Sequence, residues 1–415
     1  MTWAAGPRAW VRARTSLPRD VIVLGLIAFC VAVGFGVLIP VLPVFARSFD
    51  VSHLEVGAVL SVFALMRLVT SPFCGRLILL AGERTVLATG IFIVAVSSGL
   101  AGISQTYEQL LVLRGIGGIG SAMFTVSAMT LLLGSVATEV RGRAAGFFQG
   151  GFLIGSMAGP ALGGLLSAIS LTAPFFFYAG TLAVAGVVGL VLLHPGRGRA
   201  STTTATPPRP FRQVLRDPRF QAACATNLAQ QWTSSGARTA LVPVLVVEVL
   251  HRTAAWTGIA FACAAVAQTL AVGPAGTFVD RVGRRPAMVG GGVLAGLSIS
   301  VVPFATNIWV LVVALSLFGV ASAFLGTAPA AAVGDAAGGR GGTAVAVFSM
   351  CGDIGSIVGP LVAGLLADSV SYGVAFGAGA ALILAAALYA LRMPTGLGPE
   401  ADGEPSTIEQ PELKP

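Results

Sequence analysis

Apolar runs long enough to cross a bilayer recur along the whole chain, and this recurrence constrains the fold more than any single motif. A helix needs about 20 mostly apolar residues to span the hydrocarbon core, because lipid offers no partner to an unpaired backbone N–H or C=O. Read between charged and turn-like breaks, twelve such runs emerge. The first six cover roughly 20–46, 52–78, 84–104, 107–133, 143–169 and 172–193, and the second six roughly 219–248, 254–279, 286–306, 308–334, 343–367 and 371–392. The chain is 55% hydrophobic and 10% charged, where a soluble domain carries roughly a quarter charged residues. The expected fold class is therefore an all-α integral membrane protein with twelve transmembrane helices. The first run exceeds a signal peptide's apolar core and ends at Pro40-Val41-Leu42-Pro43, so it reads as a span that stays.

The runs divide into two sets of six. Residues 20–193 and 219–392 form the expected bundles, preceded by an arm at 1–19 and joined by 194–218. That connector includes Ala200-Ser201-Thr202-Thr203-Thr204-Ala205-Thr206-Pro207-Pro208, the composition of a flexible polar linker. The segment 393–415, with Glu400, Asp402, Glu404, Glu409 and Glu412 among prolines, reads as disordered.

Basic residues orient the bundles. Arg8, Arg12, Arg14 and Arg19 precede span 1; Arg76 and Arg84 lie between spans 2 and 3, and Arg141 and Arg143 between 4 and 5. Arg197, Arg199, Arg209, Arg212, Arg216 and Arg219 crowd the linker; Arg281, Arg284 and Arg285 separate spans 8 and 9, and Arg340 separates 10 and 11. Arg392 and Lys414 follow span 12, and the opposite side receives only Arg47 and Arg252. Because short cytoplasmic loops accumulate Lys and Arg, both termini and the linker are expected in the cytoplasm. The net charge of +8 thus reports orientation rather than nucleic-acid binding. Using arginine almost to the exclusion of lysine points to a GC-rich bacterium, hence to its cytoplasmic membrane.

Enzyme chemistry finds no support. His53, His194 and His251 lie at loops or span ends without metal spacing or a nucleophile beside them. Cys30, Cys74, Cys224, Cys263 and Cys351 all fall in apolar runs and read as packed free thiols. No cofactor or metal is expected.

Span 5 carries Gly146, Gly155, Gly159, Pro160, Gly163 and Gly164. Glycine costs about 1 kcal/mol against alanine inside a helix and proline kinks it, so the pattern implies close backbone approach and a bend. Span 11 repeats it as Gly355-x-x-x-Gly359-Pro360-x-x-Ala363-Gly364, with Ala346 in place of a leading glycine. The loop between spans 8 and 9 reads Gly276-Thr277-Phe278-Val279-Asp280-Arg281-Val282-Gly283-Arg284-Arg285. Its counterpart after span 2 keeps Gly75, Gly82 and Arg84 but has Leu79 and Leu80 where the aspartate and arginine would stand. Span 4 adds Arg114-Gly115-Ile116-Gly117-Gly118, and span 1 adds Gly34-Phe35-Gly36 and Pro40-x-x-Pro43.

These motifs, in this order, resemble the major facilitator superfamily, and the span-5 run resembles the motif of its proton-coupled drug exporters. The resemblance covers all twelve spans. It implies two pseudo-symmetric six-helix bundles that rock about a central site, and export of a drug or small metabolite in exchange for protons. The expected partners are a small-molecule substrate, protons and lipid, for a functional monomer with no cofactor beyond the proton gradient. An alternative is a symporter importing a metabolite or organic acid.

Within that frame, the span-5 motif should pack at the interface of the two halves and resist leak. Asp353 is the carboxylate set deep in a span, and with Arg114, on the family's span-4 motif, it is the proton-coupling candidate. An intramembrane acid must be paired or protonatable; a purely structural pairing is the alternative. Asn227, Gln231, Ser234 and Arg238 are spaced four, three and four along span 7, one face of a regular helix, and are expected to line the substrate cavity rather than glue helices. Gln149, Phe124, Phe148, Phe152 and Arg67 are further cavity candidates. Gly276, Asp280, Arg281, Gly283, Arg284 and Arg285, with Arg141 and Arg143, form the expected cytoplasmic gate. Asp280 is expected to cap the start of span 5, where the positive helix end attracts an acid. Three intramembrane arginines against one aspartate tilt the substrate toward neutral, zwitterionic or anionic molecules, for example a phenicol-like antibiotic or a secondary metabolite.

Overall fold

The computed structural model describes residues 18–136, 140–194, 211–337 and 342–394. The N-terminal arm with Arg8, Arg12 and Arg14, the linker stretch with Arg197, Arg199 and Arg209, Arg340, and the tail with Lys414 lie outside them.

Eleven helices among the described residues are long and apolar enough to cross a membrane. In the first half these are Arg19–Leu38 (span 1), His53–Ala81 (span 2), Glu83–Ala101 (span 3), Tyr107–Gly134 (span 4), Arg141–Ser167 (span 5) and Ala173–Leu192 (span 6). In the second half they are Ala254–Arg281 (span 8), Arg284–Val301 (span 9), Ile308–Ala337 (span 10), Gly342–Ser369 (span 11) and Tyr372–Ala390 (span 12). A short helix, Leu42–Arg47, follows span 1. Another, Phe211–Arg216, lies within the connector at 194–218 and precedes span 7.

Span 7 corrects the expectation of one regular helix over 219–248. It runs as Pro218–Trp232, widens to a π-helix over Thr233–Leu241, and resumes as Val242–Glu248. Pro243, at the start of the resumed helix, has no N–H to donate to the carbonyl four residues back. Such π segments concentrate at functional sites.

Each half has its own core. Leu24, Ile27, Leu87, Ile91, Phe175 and Tyr178 are buried together in the first. Leu245, Phe261, Ile299, Phe318 and Phe376 are buried together in the second. The tight loops after spans 2 and 8 mirror each other through Gly82 (φ 81°) and Gly283 (φ 119°), conformations that glycine adopts without the clash a Cβ would bring.

Between the halves, span 2 packs on span 11 and span 5 on span 8. A Cβ at Gly57 of span 2 would meet the Pro360 carbonyl, and one at Gly258 of span 8 would lie 2.7 Å from the Pro160 carbonyl oxygen. These contacts lie toward the ends of the spans remote from Arg76, Arg84, Arg281, Arg284 and Arg285. We call those ends the far face and the arginine-bearing ends the basic face. Toward the basic face, a Cβ added at Gly146 or Gly150 of span 5, or at Gly273 or Gly276 of span 8, would meet nothing within 4 Å. The two halves therefore close on the far face and part toward the basic one.

The span-5 motif meets the expected interface between the halves only at its far-face end, at Pro160 and Gly164. Cβ positions at Gly155, Gly159 and Gly163 fall on Phe29, Gly36 and Val37 of span 1, within the same half. Of the glycines, only Gly164 reaches across, to Ala255 and Gly258 of span 8. Span 11 repeats the arrangement: Gly355 and Gly359 meet Leu228 and Trp232 of span 7, while Gly364 meets His53 of span 2. Most of the glycines fuse the central helices of one bundle, while Pro160 with Gly164, and Pro360 with Gly364, touch the other bundle.

Candidate functional site

Asp353 sits where span 2 faces span 11. Its Oδ1 accepts a hydrogen bond from Arg67 Nη2 at 2.7 Å, joining the halves within the spans. Both side chains keep contact with solvent, at 36% exposure for Arg67 and 25% for Asp353. The other described carboxylates lie within a few residues of helix ends, so among the described residues Asp353 is the carboxylate at depth. Close by, Ser61 Oγ donates to the Ile357 carbonyl at 2.6 Å, a second polar tie between the same helices.

The partner of Asp353 is thus Arg67, not Arg114. Arg114 is buried at 4% exposure, with its guanidinium 4.4 Å from the centre of the Phe63 ring and no acceptor for its Nε among the described residues. Stacking on an aromatic face partly replaces lost hydration, but it places Arg114 inside the first bundle and away from the opening.

The span-7 stripe divides. Asn227 Nδ2 donates to the Phe348 carbonyl at 2.8 Å and Gln231 Nε2 to Ser356 Oγ at 3.3 Å, so these two amides tie span 7 to span 11. Arg238 instead lies over Phe261 of span 8 at 5.0 Å, and its Nε has no acceptor among the described residues. Ser234 is half-buried. A regular helix would have kept all four on one face; the π segment begins at Thr233, and beyond it Arg238 faces span 8 rather than span 11. Gln230, beside the stripe, is buried and donates to Ser322 Oγ of span 10 at 2.9 Å.

Of the expected wall residues, Phe124 and Phe148 are buried in the first core, which corrects their assignment as cavity lining in this conformation. Phe152 is half-buried and packs on both, with ring centres 6.4 Å and 5.3 Å away. Gln149 is exposed.

At the basic face, Asp280 is exposed and does not cap span 5; it pairs with no other described residue. The bundles part on this side, so the loop carrying Asp280 and the start of span 5 no longer meet. Nothing is described of the Arg141 side chain, and Arg143 is exposed but not free of interactions. Arg284 belongs to the second half's own structure, with Nε 2.9 Å from Asp335 Oδ2 and Nη1 donating to the Val279 carbonyl at 3.2 Å. Arg219, Arg284, Arg285 and Asp335 line one small polar pocket. Arg281 and Leu79 point outward, Leu79 at 87% exposure.

A second ionic cluster bridges the halves at the far face. Arg47, from the helix after span 1, contacts Glu248 Oε1 at the end of span 7 through Nε and Nη2, both at 2.7 Å. His53, at the start of span 2, lies 2.6 Å from Asp368 Oδ1 of span 11 and 2.6 Å from the Tyr372 hydroxyl of span 12. Asp368 also accepts the backbone N–H groups of His53 and Leu54 at 3.0 and 2.8 Å, so span 11 caps span 2. None of these five residues stood out as a functional candidate in the sequence. The available signal was Arg47, one of two basic residues on the sparsely charged side.

The comparisons with known proteins agree with this architecture. The bovine synaptic vesicular amine transporter is 30% identical over 263 residues, 63% of this chain and 50% of that protein. Multidrug resistance protein 1 of Bacillus subtilis is 31% identical over 167 residues, 40% of this chain and 43% of that protein. The chain spans half the length, or less, of these relatives. Among solved structures, the nucleoside transporter NupG superposes with a TM-score of 0.71 at 15% identity, covering 90% of this chain and 98% of that one. A bacterial homologue of the human lysosomal transporter Spinster, in an inward-facing and unoccupied conformation, gives 0.69 at 16% identity, covering 91% and 95%; likeness at this level concerns fold alone. The Major Facilitator Superfamily model matches residues 24–235 and 226–412, nearly all of the chain. With two six-span halves, mirrored proline-glycine contacts and that match, this chain belongs to the major facilitator superfamily of membrane transporters.

Proposed function

We propose that the chain exports a small organic molecule in exchange for protons, with its basic face in the cytoplasm. The observation that carries this reading is the Arg67–Asp353 pair, which links spans 2 and 11 across the halves and is open to solvent. Ionised Asp353 satisfies Arg67. Protonated Asp353 has lost its charge, so the link weakens and the guanidinium is released. An ionised carboxylate at this depth is costly without its partner, so proton occupancy, the pair and bundle movement are coupled. A substrate group that competes for Arg67 or displaces the proton would then exchange for it.

The span-5 glycine-proline run, and relatives named for multidrug and quinolone resistance, support the outward direction. Pairing with Arg67 leaves Asp353 no free negative charge to offer a cation, which favours a neutral, zwitterionic or anionic substrate over a lipophilic cation. The protein is taken to act as a monomer in a bacterial cytoplasmic membrane.

Growth of overexpressing cells on a panel of toxic compounds identifies the substrate. In inverted vesicles with an acidic lumen, adding that substrate should release luminal protons, and Asp353→Asn should abolish the release at unchanged protein level. Substrate moving in the same direction as the protons would establish symport and overturn the proposal, as would full proton release by Asp353→Asn.

A further inference from the structure

We propose that His53 is a proton-binding site at the far face, and that its protonation closes this face. The proposal uses the alternation of the two bundles but not the direction of transport. If exchange with protons fails in vesicles, the behaviour expected below is unaffected.

Hydrogen counting is the first argument. The Tyr372 hydroxyl lies 3.0 Å from Glu248 Oε2 and 2.6 Å from His53 Nε2. Glu248 Oε2 is itself 3.3 Å from His53 Nε2, and Nδ1 is 2.6 Å from Asp368. A hydroxyl has one hydrogen. With a neutral ring whose Nδ1–H goes to Asp368, Nε2 is a bare acceptor, so Tyr372 can serve Nε2 or Glu248 but not both, and Nε2 then faces the Glu248 carboxylate lone pair to lone pair. With both ring nitrogens protonated, Nδ1–H donates to Asp368, Nε2–H donates toward the Tyr372 oxygen and Glu248, and Tyr372 donates to Glu248. Only the imidazolium satisfies every contact.

Charge gives the second argument. The groups facing His53 are Arg47 from the short helix after span 1, Glu248 from span 7, Asp368 from span 11 and Tyr372 from span 12. On its own helix, Glu55 is turned back to Ser52, bonding its N–H at 2.7 Å and its Oγ at 2.8 Å. Arg47 offsets one of the two facing carboxylates. With a neutral imidazole one negative charge remains, and with an imidazolium the cluster is balanced.

Placement gives the third. Arg47 and His53 belong to the first half, and Glu248, Asp368 and Tyr372 to the second, so opening the far face separates donors from acceptors. The imidazolium therefore favours closure. The closing effect is present while both ring nitrogens carry a proton and is lost when one is released. A charge-assisted bond of this type changes the closed-to-open ratio by about 10- to 100-fold.

The test uses the full chain in lipid nanodiscs, with the five native cysteines changed to alanine and spin labels at Ile103→Cys and Thr306→Cys. These exposed positions lie on the far face, one in each half. Between pH 8 and pH 5.5 the short-distance population should rise, and the ratio should change by about 10- to 100-fold. His53→Gln should lose this rise in the short-distance population, and His53→Lys, with a permanent cation, should show the raised short-distance population already at pH 8. Retention of the original pH response by either variant overturns the proposal. Asp368→Asn provides an independent check: with one carboxylate gone the cluster is balanced around a neutral ring, so its pH response should vanish, and an undiminished response would also overturn the proposal.

Discussion

Gly258→Ala tests whether the far-face closure is one state of a two-state machine. A Cβ at Gly258 would stand 2.5 Å from Gly164 Cα, 2.7 Å from Gly164 N and 2.7 Å from the Pro160 carbonyl oxygen. All three are backbone atoms of the opposite half, so no side chain can rotate away and helices must separate. Overpacking of this kind costs about 1–3 kcal/mol. The gain in helix propensity from glycine to alanine, about 1 kcal/mol, is present in both conformations and cancels. Opening the far face removes the clash, so the variant should shift toward the far-open form by roughly 5- to 150-fold. Spin-label distances between positions 103 and 306 read this as growth of the long-distance population. Gly163→Ala is the control, because its Cβ would strike the Val37 carbonyl within the same half. It should lower the melting temperature and leave the distance distribution unchanged. An unchanged distribution in Gly258→Ala, or an equal shift in Gly163→Ala, would refute the reasoning.

Other substitutions probe separate parts of the scaffold. Asp280→Asn should slow transport by up to about tenfold, the worth of a carboxylate at a helix N-terminus, if Asp280 reaches the start of span 5 when the basic face closes. Leu79→Asp, at the mirrored position that has no acid, should change transport only slightly; equal damage from both in a vesicle assay would remove the asymmetry argument. Ser52→Ala breaks the capping box in which Ser52 and Glu55 satisfy each other's N–H groups. It should cost about 1 kcal/mol, visible as a lower melting temperature, and no change in that temperature would show the cap to be redundant.

Much of the architecture was legible because its cause is local. Bilayer thickness fixes the length of an apolar run, so eleven helices were readable one at a time, and arginine placement ordered their ends. The proline-glycine runs of spans 5 and 11 announced close helix contact, since nothing else explains so many positions without a Cβ. Their partners were not legible: Gly159 and Gly359 meet Gly36 and Trp232 of their own halves, and only the folded bundle shows which neighbour needs the space.

The site was legible in proportion to how rare each residue is in its setting. Asp353 stood out because an acid at depth is costly, and that inference needs no partner. Assigning it Arg67 rather than Arg114 required the register of span 2 against span 11, which are 286 residues apart at this bond. The span-7 stripe failed as one face because a π segment interrupts it at Thr233, and hydropathy does not register such a change of winding. His53, Glu248, Asp368 and Tyr372 each look ordinary at a span end and acquire chemistry only when the two halves close.

By itself, then, the sequence determined that this chain crosses a membrane as two repeated sets of helices, because burying backbone polar groups in lipid leaves few alternatives. Tertiary structure decided which charges meet and which face is shut. Ion pairs form between residues remote in the chain, and their energy depends on distances of a few ångströms that only the packing of two separately cored bundles sets.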